Sequence, residues 1–231
     1  MINRMGAMHK NTQIYDDNAA RVMALPEPTL RRLPWYLAYL TTLHAHNDEY
    51  VSTTPIARAL EVAPAQIAKD LSFLGLKGKT RIGYNVSALE DTLRSFLGFE
   101  RRHNAAISGV GSLGAALVSD SGLQRYGLNI VAGFDISPAL TGKEINGVKV
   151  LTPDRMADTV RDLDISIGIL AVPVESAAEV AENFIAAGVK AIWNFTPARI
   201  REAEGVVVTD TSIYSHLAVM YNRLANLGTK A

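Results

Sequence analysis

Apolar residues repeat along the chain with two different periods, and the change falls near residue 105. Before it the spacing is helical. In TLRRLPWYLAYLTTL (29–43), Leu33, Leu37 and Leu40 stand at i, i+4 and i+7, which predicts an amphipathic helix. STTPIARAL (52–60) predicts a second helix, with Thr54 as its N-cap and Pro55 in its first turn. PAQIAKDLSFL (64–74) predicts a third, with Ile67, Leu71 and Leu74 on one face and Gln66, Lys69 and Phe73 on the other. After Gly75 comes LKGKTRIGYNV, where Lys77, Lys79 and Arg81 surround Gly78. It predicts a basic, glycine-tipped hairpin that leads into an apolar strand.

Beyond residue 105, short continuous apolar runs alternate with helical stretches. AAISGV (105–110), LNIVAGFD (128–135), GVKVL (147–151), DISIGILAV (164–172), VKAIWNF (189–195) and EGVVVTD (204–210) predict strands. SLGAALVSD (112–120), the stretch opened by TPDRM (152–156), residues 175–187 and residues 212–227 predict helices. The alternation predicts an α/β class with a mostly parallel, doubly wound sheet. The expected divisions are an extension over 1–24, a helical domain over 25–100, a Rossmann domain over 104–211, and a last helix with its tail over 212–231. In that helix Ile213, Leu217, Met220, Leu224 and Leu227 alternate 4-3-4-3. The stripe packs either on its own sheet or against a second copy.

Composition narrows the class. The 231 residues are 48% hydrophobic and 20% charged, a globular mixture. Whole-chain charge balances at 23 against 23. The halves differ: residues 1–103 carry 13 basic and 10 acidic side chains, and residues 104–231 the reverse. Positive charge therefore sits with the helical front half. With no cysteine, disulfides, thiolate metal sites and cysteine nucleophiles are excluded. No run approaches 18 apolar residues and no secretory signal opens the chain, so a cytoplasmic protein without a membrane span is expected.

The first predicted strand of the back half ends in ISGVGSLGAAL (107–117). Gly109, Val110, Gly111, Ser112, Leu113 and Gly114 satisfy GxGxxG between a strand and a helix, and Asp135 closes the next strand. In that setting Gly109 allows the tight turn, Gly111 lets the backbone approach a pyrophosphate, and Gly114 lets the helix sit close to the strand. The helix N-terminus offers free N–H groups to phosphate. Asp135 can accept both hydroxyls of an adenosine ribose, and its charge disfavours a 2′-phosphate, so NAD(H) is expected over NADP(H). A glycine turn that binds nothing is the alternative.

Catalytic apparatus is not apparent. His9, His44, His46 and His103 fall outside the predicted α/β domain, and His216 lies in the last helix. His44 and His46, two apart, face different sides of a helix and make no metal pair. Asn194 and Thr196 could touch a nicotinamide but form no acid–base couple. The front half, three helices and a basic hairpin, fits a winged helix-turn-helix. Gln66 on the third helix could read adenine edges, and the wing cations could meet phosphates or the minor groove. A helical domain for protein contacts is the alternative there. A small NAD-dependent oxidoreductase and a CoA- or NAD-binding scaffold remain alternatives for the whole.

Taken together, LPEPTLRRLPWYL (25–37), VST (51–53), AQIAKDLSFLG (65–75), IGYNV (82–86), GVGSLG (109–114), FD (134–135), AVP (171–173) and NFTPAR (194–199) resemble the Rex family of redox-sensing transcriptional repressors. The resemblance runs from about Leu25 to Leu227. It implies a homodimer that binds a palindromic operator when NADH is low, represses fermentation and respiration genes, and releases DNA when NADH binds. It implies a last helix swapped between subunits and no enzymatic turnover. It places NADH or NAD at Gly109 to Gly114, Asp135, Pro173, Asn194 and Thr196. It places a recognition helix at Ala65 to Leu74, with DNA contacts at Gln66, Lys69, Ser72, Lys77, Lys79 and Arg81. The chain departs from the family pattern at Ala38, Ala68, Thr80, Asp120, Leu140 and Ser212.

Overall fold

The computed structural model describes residues 25–227, which divide into two compact units between Glu100 and Arg101. The predicted extension over 1–24 and the end of the tail lie outside the described residues.

The first unit is helical. Its elements are α1 (Glu27–Ala45), β1 (Tyr50–Val51), α2 (Thr53–Leu60), α3 (Pro64–Ser72), β2 (Tyr84–Asn85) and α4 (Val86–Phe96). Prolines stand in the first turns of α1 and α3, where the missing N–H costs nothing. The apolar stripes meet in one core, in which Leu33, Leu37, Leu40, Ile56, Ile67, Leu71, Leu89 and Leu93 are fully buried. β1 and β2 pair antiparallel, Tyr50 opposite Asn85 and Val51 opposite Tyr84.

Three expectations need correction here. Ser52, not Thr54, is the N-cap of α2, because Thr53 is already helical. The expected strand after the hairpin is only two residues long. It gives way to α4, whose N-cap Asn85 accepts a 2.9 Å bond from the Ala88 N–H. Gly78 is not the tip of the wing. It lies under the Tyr84 ring, and the tip is the turn closed by the Lys79–Gly83 bridge.

The second unit is a seven-stranded sheet in the order β5-β6-β4-β3-β7-β8-β9. The strands are β3 (His103–Ser108), β4 (Leu128–Phe134), β5 (Glu144–Ile145), β6 (Val148–Leu151), β7 (Ile167–Leu170), β8 (Ala191–Asn194) and β9 (Val207–Asp210). All pairings are parallel except β5 with β6. That edge hairpin, absent from the sequence reading, turns at Asn146–Gly147, both with positive φ. The helices are α5 (Ser112–Ser119), α6 (Ser121–Arg125), α7 (Met156–Asp162), α8 (Ala177–Ala187) and α9 (Ile213–Leu227). Helices on both faces bury the central strands, so Ala105, Ala106 and Ile107 are all inaccessible. Phe134 and Phe184 meet edge to face at 6.1 Å beneath the sheet.

His103 opens β3 and so belongs to the α/β unit rather than lying outside it. α9 buries nothing: every residue is exposed except the half-buried Leu217. The option that its stripe packs on its own sheet is therefore set aside. No helix of the described residues is long and apolar enough to cross a membrane.

Candidate functional site

Strand order reverses at β3: β4 lies to one side and β7 to the other. The crevice beyond the carboxyl ends of these strands is where open α/β sheets take nucleotides. The glycine loop sits there. Gly109 has φ +87°, and a Cβ on it would fall 2.4 Å from the Ala171 carbonyl oxygen. A Cβ on Gly114 would fall 2.0 Å from the Gly109 oxygen, so α5 lies against the loop's own backbone. At Gly111 a Cβ would meet nothing within 4 Å. The loop is thus closed on the protein side and open on the other.

Val110 is buried behind the loop, while Ser112 and Leu113 are exposed at the start of α5. The Asp135 carboxylate is fixed by two backbone donors, the Val110 N–H on Oδ2 and the Ser137 N–H on Oδ1, both at 2.8 Å. Each oxygen keeps a free lone pair at the rim of the crevice. Open space over Gly111, N–H groups at the head of α5 and an anchored acid fit a dinucleotide.

Pro173 is exposed just past β7. Asn194, the last residue of β8, and Thr196, just past it, are buried and bonded to one another. Asn194 Oδ1 accepts from the Thr196 N–H (2.9 Å) and hydroxyl (2.7 Å), and its Nδ2 donates to the Ala198 carbonyl and to Asp210, both at 2.8 Å. Their side chains brace this turn. Among the described residues no group of His, Cys, Asp and Glu could hold a metal ion.

In the first unit α3 buries Ile67 and Leu71 and exposes Ala68, Lys69 and Ser72. Ser72 donates to the Lys69 carbonyl at 2.6 Å. Lys77, Lys79 and Arg81 are exposed on the wing, and Arg81 holds φ +64° at its tip. Lys79 donates to the Tyr50 hydroxyl at 3.2 Å and lies 5.2 Å from that ring's centre.

Sequence reasoning missed two carboxylates. Asp70 is fully buried on α3 and accepts five hydrogen bonds. Oδ1 receives Thr29 (3.0 Å), Arg32 Nη2 (2.9 Å) and Gln66 (2.9 Å), and Oδ2 receives Arg32 Nε (2.7 Å) and Tyr36 (2.7 Å). Burial pushes the Asp70 carboxyl up, but the bonds from Arg32, Tyr36, Gln66 and Thr29 outweigh it and hold it below the usual carboxylate range. Burial and the bond to Asp70 push the Tyr36 phenol up. Glu90 on α4 repeats the pattern with His44, Arg94 and Thr41. Its carboxyl is raised by burial and lowered further by those donors. A signal existed: Asp70 falls on the apolar face of α3, where a charged side chain requires a partner. Among the described residues no buried side-chain polar atom lacks a partner.

The departures from the family pattern have local roles. Asp120 caps α6 through the Gly122 N–H at 2.6 Å. Ser212 accepts from the Ser215 N–H at 3.1 Å as α9 begins. Leu140 packs against the core beneath β6. Ala38 and Thr80 are exposed.

Two family models match. The CoA binding domain covers residues 100–198, and a model described as a DNA-binding protein N-terminus covers 24–72. A redox-sensing transcriptional repressor Rex of Porphyromonas gingivalis is 53% identical over 203 residues, 88% of this chain and 93% of that protein. The chain belongs to the Rex family. The Rex of Bacteroides fragilis is 48% identical, over 94% of this chain and 97% of its own. Among solved structures, the Rex-family repressor RSP bound to NAD⁺ and operator DNA matches with a TM-score of 0.84 at 31% identity, covering 89% of this chain and 94% of that one. The same repressor bound to NADH matches at 0.80 and 30% identity, over 89% and 97%. Rex relatives are named as repressors, not enzymes.

Proposed function

We infer that this chain is a cytoplasmic, homodimeric repressor that grips a palindromic operator duplex when NADH is scarce and lets it go when NADH binds. The observation that carries this is the cradle at the strand-order reversal, closed at Gly109 and Gly114, open at Gly111 and flanked by the anchored Asp135. It shares a chain with a winged helix whose wing exposes Lys77, Lys79 and Arg81.

Loop amides from Gly111 to Leu113 would hold the pyrophosphate, since the Val110 N–H is held by Asp135. Asp135 would take the adenosine ribose. Pro173, with the turn braced by Asn194 and Thr196, would form the nicotinamide end, because these residues stand at or just past the carboxyl ends of the neighbouring strands β7 and β8. Bound NADH or NAD⁺ supplies a redox signal rather than a reaction. α3 would enter the major groove with Gln66, Lys69 and Ser72, and the wing cations would meet phosphate or the minor groove. The exposed stripe of α9 would exchange with a second copy, pairing two winged helices for two half-sites. One dimer arrangement holds NADH and another holds DNA, so each ligand weakens the other by the same factor.

The test is fluorescence anisotropy of a palindromic promoter duplex, titrated with NADH and separately with NAD⁺. Release by NADH and not by NAD⁺ is expected. Duplex binding indifferent to both nucleotides, or no duplex binding at all, overturns the proposal.

A further inference from the structure

Asp70 holds an unusual place. Buried apolar contacts such as Ile67 and Leu71 are non-directional, and they tolerate a helix that rolls or slides by a fraction of a turn. A buried carboxylate with five donors tolerates neither. Thr29, Arg32 and Tyr36 stand at i, i+3 and i+7, one face of α1, and all three point at Asp70. Gln66, one turn back on α3, closes the set. Arg32 grips both oxygens, through Nε and Nη2, in a fork whose plane sets the carboxylate's plane. Such a cluster is a poor device for stability alone, since apolar residues of similar volume often serve as well or better. It is a good device for fixing one orientation.

We propose that Asp70 is the positioning residue of operator recognition: it sets the roll of α3 about its axis, and with it which side chains reach base edges. This rests on the reading of α3 as the recognition helix. Lys69 and Ser72 face outward because Asp70 faces inward. Gln66 has one amide hydrogen committed to Asp70, which leaves its second amide hydrogen and its carbonyl oxygen for a base edge. Those two groups match the acceptor and donor pair of adenine in the major groove. Gln66 thereby acts as an oriented reader rather than a free side chain.

The experiment uses the full-length protein and two duplexes. One is an operator selected by the wild-type protein from a randomised duplex pool. The other is the same bases scrambled at equal length. Affinities for both are measured over a salt series for the wild type, Tyr36→Phe, Asp70→Asn and the apolar replacement Arg32→Met with Asp70→Leu. Melting is followed for each, and NADH titration reports on the second unit.

Tyr36→Phe removes one donor and leaves the Arg32 fork. Its operator affinity is expected to fall roughly 5- to 50-fold, the cost of a misaligned base contact. Affinity for the scrambled duplex, its salt slope and NADH binding should stay within about twofold. The apolar replacement should melt closer to the wild type than Asp70→Asn does, yet still fail to discriminate. Operator preference unchanged in Tyr36→Phe overturns the proposal. So does discrimination that returns as melting returns, because Asp70 would then serve folding only. A pool that yields no preferred duplex for the wild type overturns the DNA reading itself, a different outcome from intact wild-type selection that the variants leave untouched.

Discussion

Substituting alanine at two glycines of one loop should separate folding from cofactor binding. At Gly114 the new Cβ would stand 2.0 Å from the Gly109 carbonyl oxygen and 3.4 Å from Ile107 Cδ1. A non-bonded carbon and oxygen cannot approach so closely, and the obstacle is backbone, so α5 must move away from β3. Overpacking of this kind costs about 1–3 kcal/mol. For a protein of this size that lowers the melting temperature by roughly 2–12 °C.

Gly111 is the opposite case. Its φ of −71° and ψ of −158° are open to alanine, and a Cβ there touches nothing. Stability should change by no more than about 0.5 kcal/mol. The added methyl nevertheless occupies the space through which a pyrophosphate reaches the loop. Losing one charge-assisted hydrogen bond costs about 1.5–3 kcal/mol, roughly a 10- to 100-fold rise in Kd. Calorimetric melting and NADH titration by fluorescence, run on both variants, give the comparison. Gly111→Ala that binds NADH within twofold of the wild type refutes the placement of the pyrophosphate. Gly114→Ala that melts unchanged refutes the close seat of α5.

Other tests address the first unit and the last helix. Asp70 and Glu90 ordinarily ionise near 3.8 and 4.5, and both are held lower in the folded chain. A depressed carboxylate stabilises the fold above its unfolded value, and the contribution is lost as pH falls through the folded one. Urea unfolding of the first unit should therefore be insensitive to these groups well above pH 4.5, weaken as pH falls below 4.5 through Glu90 and more steeply below 3.8 as Asp70 joins it, with a shallower fall in Asp70→Asn. Lys77→Ala should weaken binding to all duplexes alike and reduce the salt slope by about one, measured by anisotropy between low and moderate salt; an unchanged slope removes Lys77 from the phosphates. Leu224→Glu, on the exposed stripe of α9, should convert a dimer to monomer in sedimentation velocity and weaken palindrome binding more than half-site binding.

Local rules carry far along this chain. Period-3.6 stripes placed α1, α2 and α3 because each helix must bury one face wherever it packs. Continuous apolar runs placed the parallel strands, because both faces of the central ones are covered. The glycine loop was legible for the same reason, since its turn, its close packing and its neighbouring acid lie within one βαβ unit. α4 was missed: its signal, Asn85 followed by Val86, Leu89, Leu93 and Phe96, was present, but the stretch after the hairpin reads as an apolar strand.

Tertiary structure decided what depends on partners remote in sequence. Asp70 meets Thr29, Arg32 and Tyr36 across 34 to 41 positions, and no pattern on α3 names those donors. Asn194 and Thr196 carry polar atoms that could serve a ligand, yet Asp210, on the neighbouring strand, and the following turn take up Asn194's bonds. The stripe on α9 reads identically whether it covers its own sheet or a second chain. Only its exposure along the whole helix rules out the first, because periodicity records that a face is apolar and not what covers it.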